Sequence, residues 1–310
     1  MPNFFDTLKR LFGGSKPPTG PLPQRDPDAT VPLPDLPTAP RILDIAKITV
    51  DETPRRLTIG IAQDVGRVRG HNEDVLLVFT GELAGLEAMP HFGLFVVADG
   101  MGGHSLGERA SGVAARTVAR ESINSVVPWL LSDPQADVER PTLKEVMEHA
   151  MEVANRTVNN SVPEGGTTLT CALIIGEQLV LSHVGDSRAY IITSDSFEQV
   201  TRDHSLVQRL QELGQLSPAE AAVHPQRNVL YRAVGQGEGL EVDVDSRRLA
   251  PGTMLLLCSD GLWGLVPDDK LIDIVRHAPS LQVACENMVA AANAAGGPDN
   301  ITAVLVRLPQ

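Results

Sequence analysis

Apolar residues fall along this chain in short unbroken runs bounded by glycine, proline and acidic residues. Leu94-Phe95-Val96-Val97-Ala98, Leu255-Leu256-Leu257-Cys258 and Ile301-Thr302-Ala303-Val304-Leu305-Val306 are examples. Runs this short, rich in branched side chains, predict strands buried on both faces. The same pattern marks strands at 57–63, 75–79, 168–175, 178–184, 188–193, 198–201, 242–249 and 253–258. Helical spacing takes over at 106–127, where Ala110, Val113, Ala114, Thr117 and Val118 form one stripe. It recurs at 143–160 through Leu143, Val146, Met147, Ala150 and Ala154. Further helices are predicted at 203–214, 268–277 and 280–295, the last stopped by Gly296-Gly297. Ser217-Pro218-Ala219-Glu220 has the form of a capping box with proline in the first turn. It belongs to a polar insertion, 206–228, that reads as a mobile excursion from the sheet. Strands joined by tight turns imply antiparallel pairing. Without a regular βαβ rhythm, the order of elements favours α+β over a doubly wound fold.

Several strand runs meet a carboxylate at one end. Ala98 is followed by Asp99-Gly100-Met101-Gly102-Gly103-His104, a turn in which main-chain groups can approach an ion closely. The glycines and the acid are expected to end the strand. Ser259 leads into Asp260-Gly261, Val184 into Gly185-Asp186, while Asp299-Asn300 and Glu73-Asp74 each precede a strand. One Asp-Gly after a strand is usually a plain turn. Five acidic points at strand ends are a different matter if they share one edge, because carboxylates repel unless a cation neutralises them. All-oxygen ligands suit Mg²⁺ or Mn²⁺.

Composition divides the chain in two. Residues 1–56 hold eleven of the 23 prolines and nearly balanced charge, which predicts a largely disordered linker rather than a packed core. In front of it, Phe4, Phe5, Leu8, Leu11 and Phe12 share one helical face before Gly13-Gly14, either a frayed terminus or a docking peptide for a membrane surface or a protein. The net charge of −13 argues against nucleic acid as the main partner. Cys171, Cys258 and Cys285 are scattered without metal or disulfide spacing, and read as buried thiols in a reducing compartment. No secretory signal or membrane-length apolar run is visible, so a cytoplasmic protein is expected, with peripheral contact at the inner membrane face through residues 4–12.

The ordered series RGHNED (69–74), DGMGGH (99–104), GTTLT (166–170), VGDSRAY (184–190), TRDHS (201–205), SDGLW (259–263) and GPDN (297–300) resembles the PPM, or PP2C-type, metal-dependent protein serine/threonine phosphatases. Its wording is most similar to the bacterial branch, which opposes eukaryotic-like serine/threonine kinases. The resemblance spans about residues 57–308. It implies a four-layer α-β-β-α sandwich, two antiparallel sheets face to face with helices on both outer faces, in a catalytic domain at 57–310. It also implies hydrolysis of phosphoserine and phosphothreonine in proteins, with a kinase or its substrates as partners.

Residue by residue, the resemblance makes Asp99 the carboxylate shared by two Mn²⁺ or Mg²⁺ ions. Asp260 and Asp299 join it on one ion; the Gly100 carbonyl and water-linked Glu73 and Asp74 serve the other. Asp186 matches the aspartate that bacterial members use for a third, weaker ion. Arg69 matches the arginine that clamps substrate phosphate, a fork suited to that dianion. Arg67 reads as an ordinary surface arginine, Arg188 as a structural partner of nearby acids, and His183 and His204 as structural. The chain departs from the eukaryotic pattern at Met101, where those enzymes carry the histidine proposed as general acid, and His104 need not replace it. Two rival readings are an inactive phosphatase fold used as a scaffold and another two-metal hydrolase such as a nuclease. The retained aspartates oppose the first, and the acidic charge without basic or aromatic stripes opposes the second.

Overall fold

Strand β3 (Phe92–Met101) is buried along nearly its whole length, and its alternate residues serve two different cores. Leu94, Val96 and Ala98 face a helical layer, whereas Phe95 and Val97 face a second sheet. That double burial is why the sequence shows a continuous apolar run instead of an alternating one. The structure, a computed structural model, describes residues 56–82, 90–102, 105–132 and 140–310. The helix expected at 4–12, the linker expected across 1–56 (but for Arg56), Gly103 and His104 lie outside the described residues.

One sheet is ordered β2-β3-β5-β6-β9, from β2 (Asp74–Gly81), β5 (Leu169–Ile175), β6 (Gln178–Val184) and β9 (Asp243–Arg248), with short β4 (Gly166–Thr167) added beside the end of β3. The other is ordered β1-β11-β10-β7-β8, from β1 (Thr58–Asp64), β7 (Arg188–Ile192), β8 (Phe197–Gln199), β10 (Met254–Cys258) and β11 (Ile301–Arg307). Every pairing is antiparallel. Helices α1 (Ser105–Leu130) and α2 (Leu143–Ser161) cover the first sheet. Outside the second lie α6 (Asp268–His277) and α7 (Leu281–Ala294). Phe95, Val97, Ile174 and Leu181 meet Ile191, Leu255, Leu257 and Val304 between the sheets. The expected α-β-β-α sandwich is therefore present, and each fully buried Leu, Ile, Val or Phe contributes about 1.5–3 kcal/mol.

Several boundaries differ from the sequence expectation, for identifiable reasons. Strand β3 does not stop at Ala98. It runs on through Asp99 and Gly100 because it exchanges partners: Asp99 pairs with Asp74 of β2, then Gly100 with Thr167 of β4. The helix expected at 203–214 shortens to α3 (Leu206–Glu212), because Ser205 serves as its N-cap and Asp203 is engaged elsewhere. Asp260 opens a four-residue helix, α5 (Asp260–Trp263), that the pattern did not predict. The capping box is real and starts α4 (Pro218–Ala222), with Ser217 and Glu220 bonding each other's backbone. The insertion carrying α3 and α4 is pinned at its root, where Leu206 N–H donates to Val229 and Tyr231 N–H to His204.

The meander also divides in a way that periodicity does not show. β5 and β6 belong to one sheet and β7 and β8 to the other, so the chain crosses between sheets at Gly185-Asp186-Ser187. That crossing brings an acid to the edge where both sheets open.

Candidate active site

Five chain segments end at one mouth: the loop before β2, the end of β3, the crossing after β6, the start of α5, and the turn before β11. A cavity of about 270 Å³ is lined there by Arg69, Glu73, Asp99, Gly100, Asp186, Asp260 and Asp299, among others. The structure thus brings together every residue expected at the site except Asp74. The Asp74 side chain is buried, with Oδ2 accepting from Thr302 Oγ1 at 2.6 Å and Ser259 Oγ at 2.8 Å. It ties β2 of one sheet to the strand ends of the other.

The main chain at Asp99 is held on both sides. Its N–H donates to Thr168 Oγ1 at 2.9 Å, and its carbonyl accepts from Thr167 Oγ1 and Thr168 N–H, each at 2.8 Å. Thr168 Oγ1 also meets Ser187 Oγ at 2.7 Å, beside Asp186. On the other side α1 approaches so closely that a Cβ at Gly107 would lie 2.5 Å from Glu73 Oε2 and 2.9 Å from the Gly100 carbonyl carbon. Ser111 Oγ donates to the Glu73 carbonyl at 2.6 Å. Asn300 fastens the Arg69–Glu73 loop: its Oδ1 accepts from Glu73 N–H, and its Nδ2 donates to the carbonyls of Val65 and His71. Trp263 Nε1 donates to the Asp186 carbonyl at 3.0 Å. Sequence reasoning named the acids but not these carriers. Ser259, Trp263 and Asn300 lie within motifs that hold an acid, which was their signal, whereas Thr168 lies in GTTLT, which holds none.

Electrostatics at the mouth are dominated by buried like charge. Burial pushes the Asp99 carboxyl well above the usual range, reinforced by Asp74, Asp260, Asp186 and Asp299. Asp186 is raised by burial and then by Asp260 and Asp203. Asp260 is pushed up to about 6 by burial and Asp299, against a hydrogen bond with Asp99 that lowers it. Asp74 rises to about 7 through burial, although Thr302 and Ser259 oppose the shift. Arg69 partly offsets the excess, with Nη2 2.8 Å from Asp299 Oδ2. Burial lowers its pKa, but Asp299, Glu73 and Asp99 outweigh that and raise it.

A hard cation fits this donor set. Asp260 Oδ1 is buried at the mouth without a hydrogen-bond partner, in an all-oxygen cluster whose members repel one another, and Oδ1 of Asp74 behind it is likewise unpartnered. Among the described residues no three His, Cys, Asp or Glu side chains already form a closed ligand cage. The mouth is an open acidic one in which Arg69 holds one oxygen of Asp299.

The neighbouring basic groups divide as expected. Arg188 forks onto Asp203, with Nη2–Oδ2 at 2.8 Å and Nε–Oδ1 at 3.0 Å, and stacks 3.5 Å from the Trp263 ring centroid. His183 bonds Thr170 and the Arg202 carbonyl, and burial lowers its pKa to about 3. His204 Nδ1 accepts the Gly185 N–H, which leaves Nε2 to carry the proton toward Asp243 Oδ2 at 3.1 Å. Met101 Sδ accepts from Gln236 Nε2 at 3.5 Å, so no titratable side chain stands at that position.

Strand-end acids around an arginine, on a two-sheet sandwich, make a site suited to hydrolysis of an anionic substrate with divalent cations. Residues 63–230 and 243–301 match the family model described as protein phosphatase 2C. The chain is 36% identical over 244 residues to the serine/threonine phosphatase stp of Listeria welshimeri, covering 78% of this chain and 92% of that one. It superposes on the Mycobacterium tuberculosis serine/threonine phosphatase PstP/Ppp with a TM-score of 0.65 at 31% identity, covering 82% of this chain and 99% of the other. A catalytic domain of PstP in complex with two manganese ions gives a TM-score of 0.65 at 31% identity, covering 81% and 97%. The chain belongs to the protein phosphatase 2C family. Among the described residues no helix is long and apolar enough to cross a membrane.

The raised acids set a pH dependence. Asp260 and Asp74 bind protons more tightly folded than unfolded, where a carboxyl titrates near about 3.9. Their contribution to stability is complete below about pH 4 and is lost as pH rises through about 6 to 7. Thermal unfolding in excess chelator should therefore show Tm falling across that window, and saturating Mn²⁺ should flatten the fall. A metal-free protein that gains stability from pH 5 to 7.5 would contradict the electrostatics described.

Proposed function

We propose that this chain is a divalent-cation-dependent phosphatase that removes phosphate from serine and threonine in proteins phosphorylated by eukaryotic-like serine/threonine kinases. The observation that carries the reading is the convergence of Glu73, Asp99, Asp186, Asp260 and Asp299 beside Arg69, with Oδ1 of Asp260 buried and lacking a partner. In this reading Asp99, Asp260 and Asp299, with the Gly100 carbonyl and water-linked Glu73, would hold two ions, Mn²⁺ or Mg²⁺, while Asp74, expected beside Glu73, instead braces the strand ends behind them through Ser259 and Thr302. Asp186 holds a third, more weakly. Bound divalent cations supply Lewis-acid activation of water and neutralise charge on the transferring phosphoryl group.

The protein's own residues do the rest. The threonine clamp on Asp99 and the Asn300 bridge fix the acids in place, so that their repulsion is not relieved by movement. Arg69 is half exposed and can exchange Asp299 for the substrate dianion, orienting it over the mouth. Residues 57–310 form the catalytic domain. Residues 1–56 form a tether whose Phe4–Phe12 face docks the cytoplasmic enzyme on the inner membrane surface or a partner kinase.

Hydrolysis of a phosphothreonine peptide with Mn²⁺ or Mg²⁺ tests the reading. Activity should vanish in excess chelator and fall by at least about a hundredfold in Asp260→Ala, since electrostatic stabilisation of this kind is worth that much. Arg69→Ala should raise KM more than it lowers kcat, because ground-state phosphate binding is what it removes. Full turnover in chelator would sink the proposal.

Asp186→Asn separates a metal ligand from a turn residue, since asparagine keeps the local hydrogen bonds but not the charge. The variant should keep its fold, lose turnover at low metal, and recover in part at high Mn²⁺. Wild-type turnover at low Mn²⁺ would reduce Asp186 to a turn-former. Removing residues 1–56 should leave peptide hydrolysis intact while changing location in fractionated cells; a truncated domain that fails to fold would show that the segment completes the core.

A further inference from the structure

Beside the acidic mouth lies a second, larger cavity of about 610 Å³. The two share Arg69, Asp186, Asn228, Asp260 and Asp299, so they are continuous around a common wall. Away from that wall the lining changes character. Val207 of α3, Pro218, Ala221 and Ala222 of α4, and Trp263 and Leu265 at the end of α5 line it with carbon. Arg188 and Asp203 also reach it, engaged with each other, and Ser205, Gln208, Gln211 and Arg227 add a polar rim to the carbon floor.

The groove is built rather than left over. Trp263 is held from two directions, its indole N–H on the Asp186 carbonyl and the Arg188 guanidinium over its ring. A side chain fixed this way loses little freedom when a ligand covers it. Helix α4 owes its short turn to the Ser217–Glu220 box, and the side chains it contributes to the groove are a proline ring and two methyl groups. Longer side chains at Ala221 and Ala222 would fill the space that these leave.

We propose that this groove receives an apolar side chain of the phosphoprotein, within roughly three residues of the phosphorylated position, and makes the enzyme prefer apolar-flanked sites to acidic ones. An extended chain advances about 3.3 Å per residue, so a segment leaving the mouth reaches the shared wall and then the groove. The proposal rests on the phosphatase reading above. Continuity with the mouth identifies the occupant as the same polypeptide that carries the phosphate. The carbon lining selects its chemistry, and the net charge of −13 disfavours acidic flanks.

The test uses the full chain with Mn²⁺ and phosphothreonine peptides of equal length. Each carries Leu, Ser or Glu at one of three positions on either side of the phosphoresidue. Leu at the groove position should lower KM about five- to tenfold relative to Ser, and Glu should raise it. Ala222→Glu, at an exposed helix position, should erase the preference. The quantity read is the ratio of kcat/KM for the Leu and Ser peptides, which a general loss of activity leaves unchanged. Trp129 and Trp263 are the only tryptophans, so in a Trp129→Phe background the emission reports the groove. A Leu peptide with a phosphonate in place of the ester should shift that emission at lower concentration than its Ser counterpart. Equal KM values for all peptides, or a Leu preference that persists in Ala222→Glu, would overturn the groove assignment while leaving the phosphatase reading intact. Failure to hydrolyse any peptide would overturn both.

Discussion

Repulsion among buried carboxylates is the constraint on which the rest of this structure depends. Asp74, Asp99, Asp186 and Asp260 each hold protons more tightly than a free carboxyl because the fold buries them together. A tenfold change in proton affinity corresponds to about 1.4 kcal/mol, a sizeable fraction of the stability of a typical domain. A fold relieves such a cluster by moving the acids apart, protonating them or admitting cations. Here the first route is closed by hydrogen bonds to their main chains, and at neutral pH the second competes with the third.

The closing of that first route explains residues that otherwise look ordinary. Thr167 and Thr168 grip Asp99, Ser111 and Asn300 grip Glu73, and Trp263 grips Asp186. Each grip comes from a different element, so the acids are placed by the sandwich as a whole rather than by one loop. Preorganised charge of this kind acts without reorganising at the moment of reaction. The same holds for the chain crossing at Gly185-Asp186-Ser187. Its neighbours His204 and Thr168 connect it to the root of the α3–α4 insertion and to the clamp on Asp99.

Much of the fold was legible because its strands are buried on both faces. Runs such as Leu94–Ala98 and Ile301–Val306 cannot be read as anything half solvated, and the helical stripes at 106–127 and 143–160 are equally plain. The errors cluster at ends. β3 continues into Gly100 only because β4 arrives from far along the chain to pair with it. α5 forms only where Gly261 lets the Asn300 carbonyl approach to within 2.0 Å of where a Cβ would stand. Neither contact has a local signal, since both partners are distant in sequence.

By itself the sequence determined the element types, the acidic strand ends and the motif order that links this chain to its family. These are properties of short windows, where periodicity and residue chemistry act over a few positions. Tertiary structure alone decided which acids face the mouth. It turned Asp74 inward onto Ser259 and Thr302 while Glu73, its neighbour, lines the cavity. It set Arg69 on Asp299, more than two hundred residues away, and brought α4 opposite Trp263 to form a groove. The physical reason is that Asp74 enters strand β2 while Glu73 stays in the loop before it, and what each side chain meets depends on packing between elements remote in the chain.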